Sequence, residues 1–502
     1  MQGLVERQSP YDREAERIEP GLAALQARVA HDLACLNYPP ANWVPETRAP
    51  DGTRALDVLI VGAGMCGITA SFALLREGVR HLRCIDRAAE GLEGPWTTTA
   101  RMPTLRSPKH LTGPDLGVPT LTYRAWHEAR FGAGGWDQLY KIDRVEWAAY
   151  LRWVRRQVGV PVENGVELLE LDASAPLLRV VLGSARGREA IHVRKLVLAT
   201  GRDGAGGFRW PAFPSFDRAD SRRAGRVMHT LEEIDFAALR GKRIAMLGVL
   251  ATAVDNAATA LEAGAREVVC FARRPHLPQV NKSKGASFPG FQRGIGALDP
   301  ATRWRLQTYM LTINAPPPHE SVLRCQKLKG FSFRFDEPWL DLALDGEGVL
   351  VTTPRGPQRF DAALLGTGFE IDIAERPELA PVAGQVRRWR DLVPASEAAR
   401  HPDLASQPAL GPGFELVGAS ASAPQGLGGV HLFNWGSAMS HGPLAGDIPG
   451  LLVGATRLSN AIVQDLFTTD FARHEAAVHA HEDPELAPTD YFVPRDKRSG
   501  PL

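Results

Sequence analysis

The chain has 502 residues, too many for one ordinary domain and enough for two or three with sizeable cores. Its 58 basic and 57 acidic residues nearly cancel, which excludes nucleic-acid binding driven by net charge, and 44% hydrophobic with 23% charged residues is the composition of a soluble globular protein. The five cysteines (Cys35, Cys66, Cys84, Cys270 and Cys325) are odd in number and widely spaced, with no C-x-x-C pair and no zinc spacing, so no disulfide framework and no metal site is expected and the setting reads as reducing and cytoplasmic.

Residues 1–55 read as a charged helical extension followed by a proline-rich loop, "NYPPANWVPETRAPDG", and the charged start argues against a secretory signal. The apolar stretch 56–75, "LDVLIVGAGMCGITASFALL", is long enough to suggest a membrane span. Its glycines at turn spacing and Asp57 at its start point instead to a buried strand, a tight turn and a helix, so no membrane is expected. Gly62, Gly64 and Gly67 complete a G-x-G-x-x-G there: the first for the turn, the second for backbone approach to a pyrophosphate, the third for helix packing. The amides of Met65 and Cys66, at the helix start, then face the phosphates. Asp86 ends the next strand, "HLRCIDR", placed to accept from ribose hydroxyls, with Arg87 beside it.

The following segment, "GLEGPWTTTARMP" (91–103), resembles the G-G-x-W…R-x-P stretch of flavin-containing and Baeyer–Villiger monooxygenases through Gly94, Trp96, Arg101 and Pro103, with Pro95 departing from the pattern. "TLRSP" (104–108), which holds Leu105, and the amphipathic "RVEWAAYLRW" (144–153) are similar to segments of the amine N-hydroxylases of siderophore synthesis. "ATG" (199–201) and "GTGF" (366–369) resemble the paired motifs that flank an inserted NADPH domain in this class of flavoprotein. The resemblance, to class B flavoprotein monooxygenases, implies an α/β fold with two Rossmann-like dinucleotide-binding domains. The expected units are an extension at 1–55, a first part of the FAD domain at 56–212, the NADPH domain at 213–358 and a second FAD part with the tail at 359–502. It also implies FAD contacts at Val166, Thr200, Gly201 and Gly368.

A second strand–turn–helix follows at 242–264, around "MLGVLATAVDN". Gly248 and Ala253 hold the outer positions of the phosphate-binding turn, Thr252 lies between them, and Leu250 replaces the middle glycine. Arg273 and Arg274 come after the next strand, where a guanidinium pairs with a 2′-phosphate, and Lys282 and Lys284 add charge; the cluster favours NADPH over NADH. Leu250 opposes this reading and leaves a decayed NADPH site in a flavin-binding scaffold as an alternative.

FAD with NADPH and no redox cysteine pair implies, by the resemblance, a reduced flavin that reacts with oxygen to give a C4a-(hydro)peroxide and oxygenates a small organic substrate. The Baeyer–Villiger fingerprint is partial in "RAGRVMHTLEEID" (223–235): Gly225 and His229 match, Arg223 and Glu233 do not, and His229 reads as a linker residue. Baeyer–Villiger-type or C-oxygenation ranks ahead of N-hydroxylation of an amine, with a flavin oxidase or reductase as a further alternative. The stretch "FNWGSAMSHGPLAGDIPGL" (433–451) resembles the segment that closes over the isoalloxazine. Trp435, Ser437 and Ser440 are expected at the cofactor; Asn434, His441, Arg101 and Arg324 are the candidate catalytic residues. Partners reduce to a small substrate and molecular oxygen, with a homo-oligomer left open.

Overall fold

The computed structural model describes residues 20–483 and 485. Helix α1 (Pro20–Cys35) lays Leu25, Val29 and Leu33 into the main core, a spacing of about one turn that puts all three on one face. The proline-rich loop leads into β1 (Leu56–Val61), whose residues are buried on both faces except at the end, as a central strand of a parallel sheet requires. Helix α2 (Met65–Arg76) and β2 (Leu82–Asp86) complete the first β-α-β unit, with Val58 to Val61 paired in parallel with Leu82 to Ile85. Helices α3 (Tyr123–Gln138) and α4 (Arg144–Gln157) are started by Thr122 and Asp143, whose side chains accept from first-turn amides. Between them they bury an aromatic cluster that includes Trp126, Trp136, Trp147, Tyr150 and Trp153.

Strands β3 (Val162–Asn164), β4 (Val166–Asp172), β5 (Leu178–Ser184) and β6 (Gly187–Leu198) follow. Among the described residues the first sheet runs β3-β2-β1-β6-β5-β4, parallel around β1 and antiparallel through β4-β5-β6. The chain leaves this sheet through β7 (Gly207–Phe208).

The second sheet is parallel throughout, in the order β11-β10-β9-β15-β8. It is built from β8 (Val227–His229), β9 (Arg243–Leu247), β10 (Glu267–Phe271), β11 (Phe331–Arg334) and β15 (Ala362–Leu365). Helix α5 (Ala251–Glu262) joins β9 to β10. An antiparallel sheet of β12 (Asp341–Asp345), β13 (Gly348–Thr353) and β14 (Gly356–Phe360) shares a core with one face of the second sheet through Trp339, Leu342, Val349, Phe271 and Leu365. Because β15 completes the second sheet, the chain returns at β16 (Phe369–Glu370), later than the boundary at 359 expected from sequence. There β16 pairs antiparallel with β7, so the outgoing and returning linkers hold each other.

Three short helices, α6 (Pro289–Gly294), α7 (Pro300–Thr312) and α8 (His319–Gln326), form an insert between β10 and β11. The first two reach back to the other domain: Gln292 Nε2 donates to Pro449 O (2.8 Å), Gln307 Nε2 to Ala438 O (2.6 Å) and Arg303 Nη1 to Ser440 O (3.1 Å). After β17 (Val430–His431) rejoins the first sheet beside β6, helix α9 (Leu451–Thr469) packs along α2. No helix of the described residues is long and apolar enough to cross a membrane.

Candidate functional site

The first glycine turn links β1 to α2. Gly62 has φ +98, its N–H donates to Ile85 O at 2.8 Å, and a Cβ there would lie 2.7 Å from Ala199 O, so only glycine fits. A Cβ on Gly67 would stand 1.7 Å from Gly62 O: the helix is packed against the turn itself. Gly64 differs. Its φ of −69 suits any residue, and a Cβ would meet nothing nearer than Gly94 Cα at 3.7 Å. What its bareness provides is open backbone at the helix start. Gly64 offers no side-chain cap, so the amides of the first turn, including those of Met65 and Cys66, stay uncapped, in contrast to α3 and α4. A pyrophosphate is the group that such a cradle fits.

Asp86 places its carboxylate against the turn, Oδ2 accepting from Ala63 N (2.7 Å) and Oδ1 from Ala88 N (2.8 Å). Asn164, in register with Asp86, brings Val166 close to the same strand end. Arg87 points outward and pairs with Asp203 at 3.2 Å, both exposed. The loop after β2 crosses the turn at Gly94, and Trp96 packs edge-on to Trp147 while its carbonyl accepts from Arg144. Leu105 is buried, with its amide on Ile142 O at 2.8 Å. Thr200 and Gly201 follow β6 on the far side of the turn, where Thr200 Oγ1 accepts from Asn434 Nδ2 at 3.1 Å.

The second turn repeats the first. Gly248 has φ +117, donates to Phe271 O at 3.0 Å, and a Cβ on it would lie 2.7 Å from Gly366 O. Leu250 caps α5 with φ −93 and ψ −174, against −69 and −169 at Gly64, and likewise supplies no side-chain cap. The leucine therefore leaves the backbone of the turn intact and adds only its side chain, half-buried at the helix start. Ala253 stands where Gly67 does in the first turn, and its Cβ is admitted because Gly366 is bare: a Cβ there would approach it to 2.6 Å. Thr252 O accepts from Asn256 Nδ2 at 2.8 Å. Arg273 and Arg274 follow β10, and among the described residues neither enters an ion pair; Lys282 is exposed in a one-turn helix at 282–286.

Arg101 and Arg324 lie together on the seam between the two domains. Arg101 donates to Thr98 O and to Glu232 O (3.4 Å) and stacks over Phe236 (5.3 Å), while Arg324 Nη1 donates to Arg101 O at 3.1 Å. Arg324 is anchored on α5 by Glu262 Oε1 (2.7 Å) and Thr259 Oγ1 (3.2 Å). Buried Asp255 faces α8, where burial pushes its carboxyl up to about 6 against hydrogen bonding from Ser321 and the charge of Arg324. A cavity of about 620 Å³ opens along this seam between Met102–Leu105 and α8.

The C-terminal loop residues are held by one another. Asn434 Oδ1 accepts from Gly436 N (2.8 Å), Ser437 Oγ donates to Asn434 O (2.8 Å), and Ser440 Oγ accepts from Leu410 N (3.0 Å). His441 is buried with both nitrogens engaged: Nε2 donates to Gly411 O (2.9 Å), and Nδ1 accepts from Arg457 (3.0 Å). Burial, then the Arg457 charge, push it down to about 3, so the ring is neutral. His229 is likewise buried and neutral, pushed down to about 4 by burial, stacked on Phe208 at 4.9 Å and bonded through Nε2 to Thr367 in the linker. Gly368 O accepts from Arg209 N at 3.0 Å in the same linker pair.

Sequence reasoning passed over Arg202, Arg106 and Asp447. Arg202 lies one residue beyond "ATG", its guanidinium 4.6 Å from the Trp435 ring centroid and 5.4 Å from that of Phe369. It is exposed to solvent, and the protein around its guanidinium pushes its pKa down. Arg106 Nη2 donates to Pro316 O at 2.9 Å. Asp447, in the loop before α9, has its carboxyl pushed up by burial and drawn back by Arg202 and Arg106. The signal in the sequence was their position: one next to a linker motif, one inside "TLRSP", one just ahead of a helix.

The model of an FAD-NAD(P)-binding family matches residues 59–203, which hold the first turn and most of its sheet. The chain is 39% identical over 462 residues to an FAD-dependent urate hydroxylase of Xanthomonas campestris pv. campestris, covering 92% of this chain and 95% of that protein. Among solved structures it is similar to the ornithine hydroxylase of Pseudomonas aeruginosa, with a TM-score of 0.62, 18% identity, and 82% and 100% of the two chains covered. It is also similar to a flavin-containing monooxygenase from Stenotrophomonas maltophilia, with a TM-score of 0.52, 18% identity, and 83% and 99% covered.

Proposed function

This chain belongs to the flavoprotein monooxygenases of class B type, and we propose that it uses FAD and NADPH to hydroxylate a carbon of urate with molecular oxygen. The observation that carries the substrate is the 39% identity to a urate hydroxylase across 92% of the chain. Urate, oxygen, NADPH and a proton give hydroxylated urate, NADP⁺ and water. When bound, FAD supplies the reducing equivalents from NADPH to oxygen and activates one oxygen atom for transfer.

The residues of the chain supply position and exclusion of water. The first-turn amides and Asp86 would hold the FAD pyrophosphate and ribose, and Gly94 and Trp96 would cover them. Gly248, the uncapped start of α5, and Arg273 and Arg274, which enter no ion pair among the described residues, would hold NADPH from its pyrophosphate to its 2′-phosphate. Arg101 and Arg324 would fix the seam across which the two cofactors meet. Asn434 and His441 would shape the loop over the flavin by holding Thr200, Gly411 and Arg457, so proton transfer is not assigned to His441.

The test is a purified, FAD-loaded enzyme mixed with NADPH in air, with and without urate. Urate-dependent oxidation of NADPH with matched loss of urate supports the reading. Stimulation by a primary amine such as ornithine, with none by urate, would move the chain to the N-hydroxylases.

A further inference from the structure

We propose that the cavity on the seam between the two domains is the substrate site, and that Lys141 and Glu320 read one edge of urate there; the inference rests on the reading of the chain as a urate hydroxylase and says where the substrate is held.

Geometry comes first. The cavity, of about 620 Å³, falls within the range of about 300–1,000 Å³ usual for small-molecule sites, which occur preferentially at domain interfaces. One wall belongs to the first domain and the other to the second, and each is continuous with a nucleotide turn. The loop that crosses the first turn at Gly94 runs on through Arg101 into the wall at Met102, Pro103 and Leu105. That wall is held to the start of α4 by the amide of Leu105 on Ile142 O (2.8 Å) and by an antiparallel bridge between Thr104 and Asp143. In the second domain, α5 begins at the second turn, and its last residue, Glu262, lines the cavity together with Pro318, Leu323 and Leu328. Arg324 joins the two walls, Nε donating to Glu262 Oε1 (2.7 Å) and Nη1 to Arg101 O (3.1 Å). A ligand in the cavity therefore touches both domains at once.

The lining selects the ligand. Apolar side chains from both walls offer faces to a flat ring, and the polar groups bridge the domains. Lys141 Nζ stands 2.9 Å from Glu320 Oε2, and Glu320 Oε1 accepts from Tyr140 Oη at 3.0 Å, so a donor and an acceptor lie side by side. Urate carries a carbonyl oxygen beside a ring N–H along its edges; the ammonium would donate to the one and the carboxylate accept from the other. Burial opposes the charge of Glu320, but hydrogen bonds from Lys141 and Tyr140 hold its carboxyl down at about 2, so it stays an acceptor at neutral pH. Three cations, Lys141, Arg324 and Lys327, line the cavity against two carboxylates, Glu262 and Glu320, and Lys327 enters no ion pair among the described residues. The surplus positive charge favours a monoanion, which urate is at neutral pH, and disfavours a cationic amine.

The experiment is calorimetric titration of FAD-loaded protein with urate in the presence of NADP⁺ and the absence of NADPH, so no turnover is involved, beside a separate titration with NADP⁺. Lys141→Met is expected to raise the urate Kd about tenfold or more, the loss of a charge-assisted hydrogen bond. Lys141→Arg, which keeps the charge, is expected to fall between. Leu323 is exposed on α8, so Leu323→Trp is expected to fold, to fill the cavity with its indole and to raise the urate Kd at least as much, with FAD content and NADP⁺ affinity unchanged. Lys141→Met and Leu323→Trp variants that bind urate as the unaltered enzyme does would overturn the assignment and leave the proposed function standing. Variants that lose NADP⁺ affinity while binding urate normally would give the cavity to the nicotinamide cofactor and overturn it too. An unaltered, FAD-loaded enzyme that takes up no urate would overturn the proposed substrate together with this site.

Discussion

Replacing Leu250 with glycine restores the middle position of the second phosphate-binding turn. The backbone there already has the conformation of Gly64, with φ −93 and ψ −174 against −69 and −169, so the substitution asks for no rearrangement. The leucine is half-buried, and losing part of its burial costs about 1 kcal/mol. Glycine is preferred over leucine at a helix N-cap, which offsets part of that loss. For the cofactor, regaining one amide-to-phosphate hydrogen bond is worth about 1.5–3 kcal/mol, which tightens NADPH binding about 10–140-fold. The assay is anaerobic stopped-flow bleaching of bound FAD over a range of NADPH concentrations, with the effect expected on Kd rather than on the limiting rate. Unchanged or weaker binding in Leu250→Gly would refute the reasoning, because the side chain would then not stand in the path of the phosphates.

Four further outcomes follow from the same geometry. Gly64→Ala is expected to fold, since its Cβ meets nothing nearer than 3.7 Å, but to purify with little FAD; Gly67→Ala, with a Cβ 1.7 Å from Gly62 O, is expected in the insoluble fraction. Asp255 has its folded pKa raised from 3.8 to about 6, so its contribution is full below the lower value and lost as pH rises through the higher one. Asp255→Asn should therefore melt higher than the unaltered enzyme above that window, by about 1–3 kcal/mol, with the gap closing in acid. His441 runs the other way: its folded pKa is lowered from 6.5 to about 3, so its stabilising contribution holds at neutral pH and is lost as pH falls through that window. His441→Ala is expected to cost about 2–4 kcal/mol in denaturant melts, with no limb removed from the pH–rate profile.

The parts of the fold legible in the sequence were those set by local rules. A buried β-strand, small residues at fixed spacing and an uncapped helix announce a dinucleotide turn, and both turns stand where the spacing put them, the second with Leu250 in its middle position. The α4 segment showed its period in "RVEWAAYLRWVRRQ" and is a helix over that whole stretch. What escaped was set by pairing over distance. That β15 belongs to the second sheet depends on its register with β8 and β9, more than a hundred residues earlier, which "AALL" alone does not reveal. His441 looked free to act because its partners, Gly411 and Arg457, are remote in sequence. Arg202 was passed over for the same reason, since its ring partners Phe369 and Trp435 are more than a hundred residues away.

The most direct test of a flavin- and NADPH-dependent urate hydroxylase is a single incubation under ¹⁸O₂ with FAD-loaded enzyme, NADPH and urate, read by mass spectrometry. The account expects hydroxylated urate carrying one labelled oxygen atom for each NADPH consumed, the second atom leaving as water. NADPH consumed with labelled hydrogen peroxide and unaltered urate would contradict it, and would make the chain an oxidase that binds the same two cofactors.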